Sequence, residues 1–416
     1  MTTLPDLFSW LSRAEADARL AWLSRGLNIR LVVSMGGGRE GLRLCETPRT
    51  LGDGEQNDPD IAIDGPPDAW AEVFRLEPRP GYHSFGAWLR HDVGIKVRAD
   101  PLLQAQALAA LERLVELARP SAGNESASRH QRNYEGVIGR RRRLAAPNGD
   151  CLTHWLEAGE GAPLLFLHTA GADSRQYLHQ VADVELQRRH KMLAFDMPLH
   201  GQSGGVTGSD VHGNRPLTAK NYRDWCVTFI EEVVGAPAFV VGCSMGAAMA
   251  LTLTADRPDL VRGCIALEAP LRAPGRRSDL LADARVANGW HNPAYVRALL
   301  SPSAPQRFRD EACAIYEQAR PGVYMADLAY YSDEYDGATL AKKLNSCGRP
   351  IALLTGSYDY SASPGNTREL QAAIGSPNVR FAEMAGLGHF PMIEDPDRFR
   401  PHLLEALGYL NDRAAK

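Results

Sequence analysis

Short apolar runs recur through the second part of the chain, at 163–168, 191–196, 238–241, 262–267, 349–355 and 378–384. Segments of helical period stand between or after them, at 177–189, 221–234 and 396–410. Strands that are apolar on both faces and alternate with helices predict a mostly parallel sheet covered on both sides, an α/β fold. Ahead of these runs, 137–144 and 151–156 predict a β-hairpin around Pro147-Asn148-Gly149-Asp150.

The first 117 residues follow another pattern. Residues 4–25 are helical in pattern, with Leu7, Trp10, Leu11, Leu20, Trp22 and Leu23 apolar. Strands are expected at 29–35 and 41–45 around Gly36-Gly37-Gly38, and again at 60–64. Residues 66–74 open a helix, and 102–117 form a strongly amphipathic one. This reads as a smaller α+β domain over 1–117. Its closing helix carries more apolar surface than so small a unit covers, so docking on the second domain or on a second subunit is expected, the alternative being a self-contained α+β domain on a flexible linker. The polar, small-residue stretch 118–135 reads as a linker. The second domain then runs over 136–416. Within it, 270–335 interrupts the strand–helix alternation with helical pieces and several aromatics, among them Trp290, Tyr295, Tyr316, Tyr324, Tyr330, Tyr331 and Tyr335. An insertion there overlies the carboxyl ends of the strands, where ligands bind in open α/β sheets, and reads as a lid.

Composition narrows the function classes. A net charge of −4 gives no field for nucleic acid. The basic run Arg140–Arg143 is short and reads as a solvated strand edge. No apolar stretch reaches membrane-spanning length, and Met1 to Asp6 lacks the layout of a secretory leader. Seven scattered cysteines without a C-x-x-C pair point to reduced thiols in a cytoplasm and to no zinc site. The expected partner is a small molecule, with self-association left open.

Candidate chemistry centres on Gly242-Cys243-Ser244-Met245-Gly246, between an apolar strand and a helix rich in small residues. A serine at so sharp a turn presents its hydroxyl, while the two glycines leave room for the turn. The Met245 N–H then sits at a helix N-terminus, suited to a developing negative charge. Cys243, on the strand end, reads as a small buried hydrophobe. A serine needs a base, and the base an orienting acid. Asp359 and His389 each lie just past a strand end and follow Ser244 in chain order. Glu268, at another strand end, is the alternative acid.

These residues resemble the α/β-hydrolase superfamily over about 137–412. The resemblance rests on His168-Thr169-Ala170-Gly171, Asp196-Met197-Pro198-Leu199-His200-Gly201-Gln202-Ser203, the Ser244 pentapeptide and Gly388-His389-Phe390. It implies Ser244 as nucleophile, His389 as base and Asp359 as acid. The oxyanion hole would come from the Met245 and Ala170 N–H groups, although Thr169 stands where glycine is usual and is the alternative second donor. It implies neither metal nor organic cofactor. A serine also argues against the dehalogenase and epoxide-hydrolase branches, whose nucleophile is aspartate. In the first domain, Asp60-Ile61-Ala62-Ile63, Ala69-Trp70 and the closing helix resemble a sterol-carrier-like module.

The expected activity is hydrolysis of a carboxylic ester or lactone of a partly hydrophobic small molecule through an acyl-enzyme. The alternative is hydrolysis of a carbon–carbon bond in a vinylogous diketone. A ligand-binding module without turnover is a third reading, and an intact triad argues against it.

Overall fold

A computed structural model describes residues 6–119, 130–207, 216–287 and 290–414. Most of the expected linker, 118–135, and nearly all of the N-terminal stretch examined for a leader lie outside these residues. The chain forms two compact units. One joins Met1–Glu125 to Leu280–Pro305, the other Ser126–Asp279 to Gln306–Lys416.

The first unit is built on five strands: β1 (Ile29–Met35), β2 (Gly38–Leu44), β3 (Arg49–Thr50), β4 (Ile61–Gly65) and β5 (Lys96–Ala99), in the order β3-β2-β1-β4-β5. Only β1 and β4 are parallel to each other. Their register sets Leu31 beside Ile61 and Val33 beside Ile63. All four are buried, and they join one apolar cluster with Trp10, Trp70, Phe85, Leu108 and Leu111. The expected helix over 4–25 is two helices, Leu7–Glu15 and Ala18–Leu23. Asp17 separates them because its carboxylate caps the second, accepting the Leu20 N–H at 2.7 Å.

The amphipathic helix Pro101–Glu116 starts on Asp100, which accepts from Leu102 and Leu103, with Pro101 in the first turn. Its apolar stripe is covered within the unit. Helix His291–Ala298 packs along it, and Ala294 enters the core. Arg297 forms an ion pair with Glu116, both side chains being nearly buried. The lid expected over 270–335 is therefore divided. Residues 280–305 cluster with the first unit, and 306–335 stay with the second. The amphipathic period of 291–298 requires an apolar partner without specifying which, and Pro101–Glu116 supplies it.

The second unit holds an eight-stranded sheet: β6 (Ile138–Ala146), β7 (Gly149–Ala158), β8 (Ala162–Leu167), β9 (His190–Phe195), β10 (Ala238–Cys243), β11 (Val261–Leu267), β12 (Ile351–Gly356) and β13 (Val379–Met384). The order is β13-β12-β11-β10-β8-β9-β7-β6. Strands β8 to β13 pair in parallel, and the β6–β7 hairpin joins antiparallel through β7 and β9. The central strand β10 is buried at all six positions, as an apolar run flanked by helices requires. Strand β6 is an edge, and Arg140–Arg143 on it are exposed. Among the described residues no helix is long and apolar enough to cross a membrane.

Candidate active site

Three loops that leave the carboxyl ends of β10, β12 and β13 carry the expected residues. Ser244 lies between β10 and helix Met245–Asp256, with φ +54° and ψ −114°, a backbone conformation that costs energy for a residue with a side chain. The turn is possible because two glycines bring backbones together. A Cβ on Gly242 would overlap the Gly246 carbonyl, and one on Gly246 would overlap the Leu167 carbonyl. The Ser244 N–H is tied back to the Leu267 carbonyl at 2.9 Å.

His389 Nδ1 stands 2.7 Å from Asp359 Oδ2. Asp359 Oδ1 accepts the N–H groups of Ser361 at 2.6 Å and Ala362 at 3.0 Å. Burial alone would push this carboxyl up. The His389 imidazole, the Glu268 carboxyl and the Ala362 N–H outweigh it and hold Asp359 at about 2. A carboxylate only accepts, so His389 Nδ1 carries the proton and Nε2 is left as the basic nitrogen. Serine, imidazole and carboxylate are all nearly buried. Cys243 is fully buried, its thiol 3.3 Å from the His389 carbonyl, and burial pushes its pKa well up.

Glu268 lies beside this pair. It has a positive φ of 55°, and the Gly356 N–H points at both its oxygens, at 3.0 and 3.1 Å. Burial pushes its carboxyl far up, the Asp359 charge adds to this, and Glu268 is hydrogen-bonded to Asp359. The three ligand-type groups Glu268, Asp359 and His389 lie within 4.8 Å of one another. Asp359 joins the other two, hydrogen-bonded to both His389 and Glu268.

The loop after β8 carries the second set of donors. The Thr169 N–H donates to Gln176 Oε1 at 3.0 Å, and the Gly171 N–H donates to Asp327 Oδ2 at 2.7 Å. Between them, the Ala170 N–H has no hydrogen-bond acceptor among the described residues, and neither does the Met245 N–H. Of Thr169 and Ala170, only Ala170 retains an unengaged donor.

Sequence reasoning did not single out Gln176 or Asp327, and it took Tyr331 only as one lid aromatic. The Tyr331 hydroxyl is buried beside the Ser244 side chain and has no hydrogen-bond partner among the described residues. No local motif announces these three: Asp327 and Tyr331 meet loops distant in sequence, and Gln176, seven residues past Thr169, lies on a short turn with no motif of its own. A pocket partly open to solvent lies nearby, lined by Met197, Leu199, Leu217, Trp225, His200 and Asp327 among others. Ser244 and His389 take no part in its walls.

The profile of the alpha/beta hydrolase family matches residues 164–401, more than half of the chain. The chain belongs to the alpha/beta hydrolase family. Among its relatives is the (E)-2-((N-methylformamido)methylene)succinate hydrolase of Acinetobacter baylyi, 28% identical over 109 residues, which is 26% of this hydrolase and 38% of that protein. The chain thus spans well under half the length of that relative. Among solved structures, a thermophilic esterase from Thermogutta terrifontis superposes with a TM-score of 0.56 at 19% identity, covering 65% of this hydrolase and 99% of that chain. The enol-lactonase of Burkholderia xenovorans superposes with a TM-score of 0.54 at 18% identity, covering 64% and 100%. At such identities the two superpositions establish the shared fold.

Proposed function

We propose that this protein is a serine hydrolase that cleaves a carboxylic ester or lactone of a partly hydrophobic small molecule through an acyl-enzyme. The observation that carries this reading is the 2.7 Å contact of His389 with Asp359, next to a serine held at a strained strand-to-helix turn. Ser244 is the nucleophile, His389 the base and Asp359 the orienting acid. His389 Nε2 takes the Ser244 proton as the oxygen attacks the carbonyl carbon, and the carbonyl electron pair moves onto oxygen. The Met245 and Ala170 N–H groups receive that oxyanion, each such donor contributing about 3 kcal/mol. Collapse expels the leaving oxygen, which takes the proton from His389. A water then repeats the sequence on the acyl-enzyme and releases the acid. The lid tyrosines supply the apolar surroundings that suit a partly hydrophobic substrate.

A second reading is cleavage of a bond other than an ester C–O, next to a conjugated double bond. The Acinetobacter baylyi relative, named for a methylene succinate substrate, favours keeping it. It includes the carbon–carbon hydrolysis of a vinylogous diketone. Purified protein assayed against p-nitrophenyl esters, lactones and a ring-fission dienone decides between the two. Turnover of esters or lactones with no turnover of the dienone supports the first reading; the reverse overturns it.

A further inference from the structure

The loop 168–171 is gripped by the lid on both sides of Ala170. Tyr316, on helix Gln306–Glu317, places its hydroxyl 2.5 Å from Thr169 Oγ1. Gln176 holds the same threonine at two points, its N–H and its hydroxyl. On the other side, Asp327 on helix Val323–Leu328 accepts the Gly171 N–H at 2.7 Å. The ring of Tyr324, on the same helix, packs over Gly171, where an added Cβ would come within 2.8 Å of it. Gly171 takes φ +71°, so the chain turns there as only glycine does readily. The peptide N–H before Ala170 is thus held by Gln176, and the one after it by Asp327 of the lid.

Asp327 is itself fixed. His200 Nε2 lies 2.8 Å from Asp327 Oδ2, and His200 Nδ1 lies 3.0 Å from the Pro198 carbonyl. Both ring nitrogens face acceptors, so both carry protons and His200 is an imidazolium. Burial opposes this charge, and Asp327, the Pro198 carbonyl and Asp196 outweigh it and raise the His200 pKa. The remaining titratable neighbour is His168, whose ring lies 4.7 Å from that of His200. Burial and the His200 charge push His168 down, so it stays neutral. One carboxylate therefore joins a buried cation to a single backbone N–H of the loop.

We propose that Asp327 is a positioning residue. From the lid it fixes the Gly171 peptide and so aims the neighbouring Ala170 N–H at the reacting carbonyl oxygen, with the His200 imidazolium locking the carboxylate in place. This rests on the serine-hydrolase reading above. Its consequence is that the lid, besides covering the site, completes the oxyanion hole. A donor works only if it points to where the charge develops, and a displacement of about 1 Å costs on the order of 10²-fold in rate.

The test uses the full-length protein with the best ester from the panel and an aryl boronic acid as probe. The boron takes the Ser244 oxygen to give a tetrahedral anion, so its affinity reports on the oxyanion donors. For Asp327→Ala we expect kcat to fall about 30-fold with KM within about twofold, and boronate affinity to weaken by a comparable factor. Asp327→Asn retains an amide oxygen for the Gly171 N–H and is expected to fall only about fivefold. It also decides the matter if the alanine variant does not fold. A merely structural role would lower the fraction of active enzyme and leave boronate affinity of that fraction unchanged, which overturns the proposal. Wild-type kcat and boronate affinity in either folded variant overturn it as well. Ser244→Ala is assayed alongside. An active Ser244→Ala overturns the serine-hydrolase reading itself, whereas an inactive one with a wild-type Asp327→Ala overturns the positioning role alone.

Discussion

The Glu268 carboxyl is hydrogen-bonded to Asp359, the residue whose Oδ2 faces His389. Two acids side by side at full burial cannot both ionise cheaply. Asp359 has the imidazole and two backbone N–H groups to stabilise a charge, and Glu268 has the single Gly356 N–H. The charge therefore stays on Asp359, and Glu268, neutral, donates its proton to it. Asp359→Asn is expected to lower kcat about 10⁴-fold, because an amide favours the wrong imidazole tautomer. Glu268→Gln keeps a donor toward Asp359 and an acceptor for Gly356, and is expected to lower kcat about tenfold or less. Steady-state kinetics of the two variants check this, and the opposite ranking would assign the acid to Glu268.

Ser244→Ala is expected to reduce turnover by about 10⁴-fold or more with the protein still folded. The hydroxyl is the attacking group, and alanine fits the same turn no worse than serine. Circular dichroism confirms folding, and a folded variant that keeps a tenth of wild-type activity excludes this serine as nucleophile.

Gly242→Ala is expected to destabilise the second unit by about 2–3 kcal/mol. The added methyl meets the Gly246 carbonyl, which is backbone and cannot rotate away. The midpoint of urea unfolding measures the loss. An unchanged midpoint would show that the turn can open at no cost.

The first unit carries its own pH dependence. Glu112 is buried, and burial pushes its carboxyl up to about 8, with the Gly86 and Phe85 N–H groups opposing this only in part. Its ordinary value is 4.5. With the folded-state value raised, the contribution to stability is full below about 4.5 and is lost as pH rises toward about 8. The thermal midpoint of the full-length protein is expected to fall over that window. Glu112→Gln, which does not titrate, is expected to flatten the fall; parallel curves for the two proteins would rule the residue out.

The residues of the site were readable in sequence to the extent that each follows an apolar strand. Ser244, Asp359 and His389 lie just past the ends of β10, β12 and β13; β10 and β12 are runs of buried residues closed by a glycine-bearing turn, whereas the edge strand β13 is only partly buried and is marked by the glycine-containing loop that follows it. The choice between Thr169 and Ala170 was not readable. It turns on Gln176, seven residues on, which engages one N–H and leaves the other. Asp327 and Tyr331 looked like ordinary members of helical segments, since their partners Gly171 and Ser244 are distant in the chain. The stretch 4–25 reads as one helix because Leu7, Trp10 and Leu11 before Asp17, and Leu20 and Leu23 after it, each keep a helical spacing. The side-chain cap at Asp17, a local polar preference, prevailed over that spacing. The destination of 291–298 was hidden for a similar reason, since an apolar stripe does not name its partner.

That destination bears on the order of synthesis. Glu116 and Arg297 are 181 residues apart, and the helices that bear them are neighbours in one core. At about 5–20 residues per second, a ribosome needs roughly 10–40 s to go from one to the other. Throughout that interval the nascent first unit has its sheet and its long helix but lacks helix His291–Ala298, which packs along that long helix. It cannot close as it emerges, in the way an N-terminal domain usually does. It must wait, open, until most of the hydrolase sheet has been made, and a stop at residue 125 would leave its core permanently uncovered on that side.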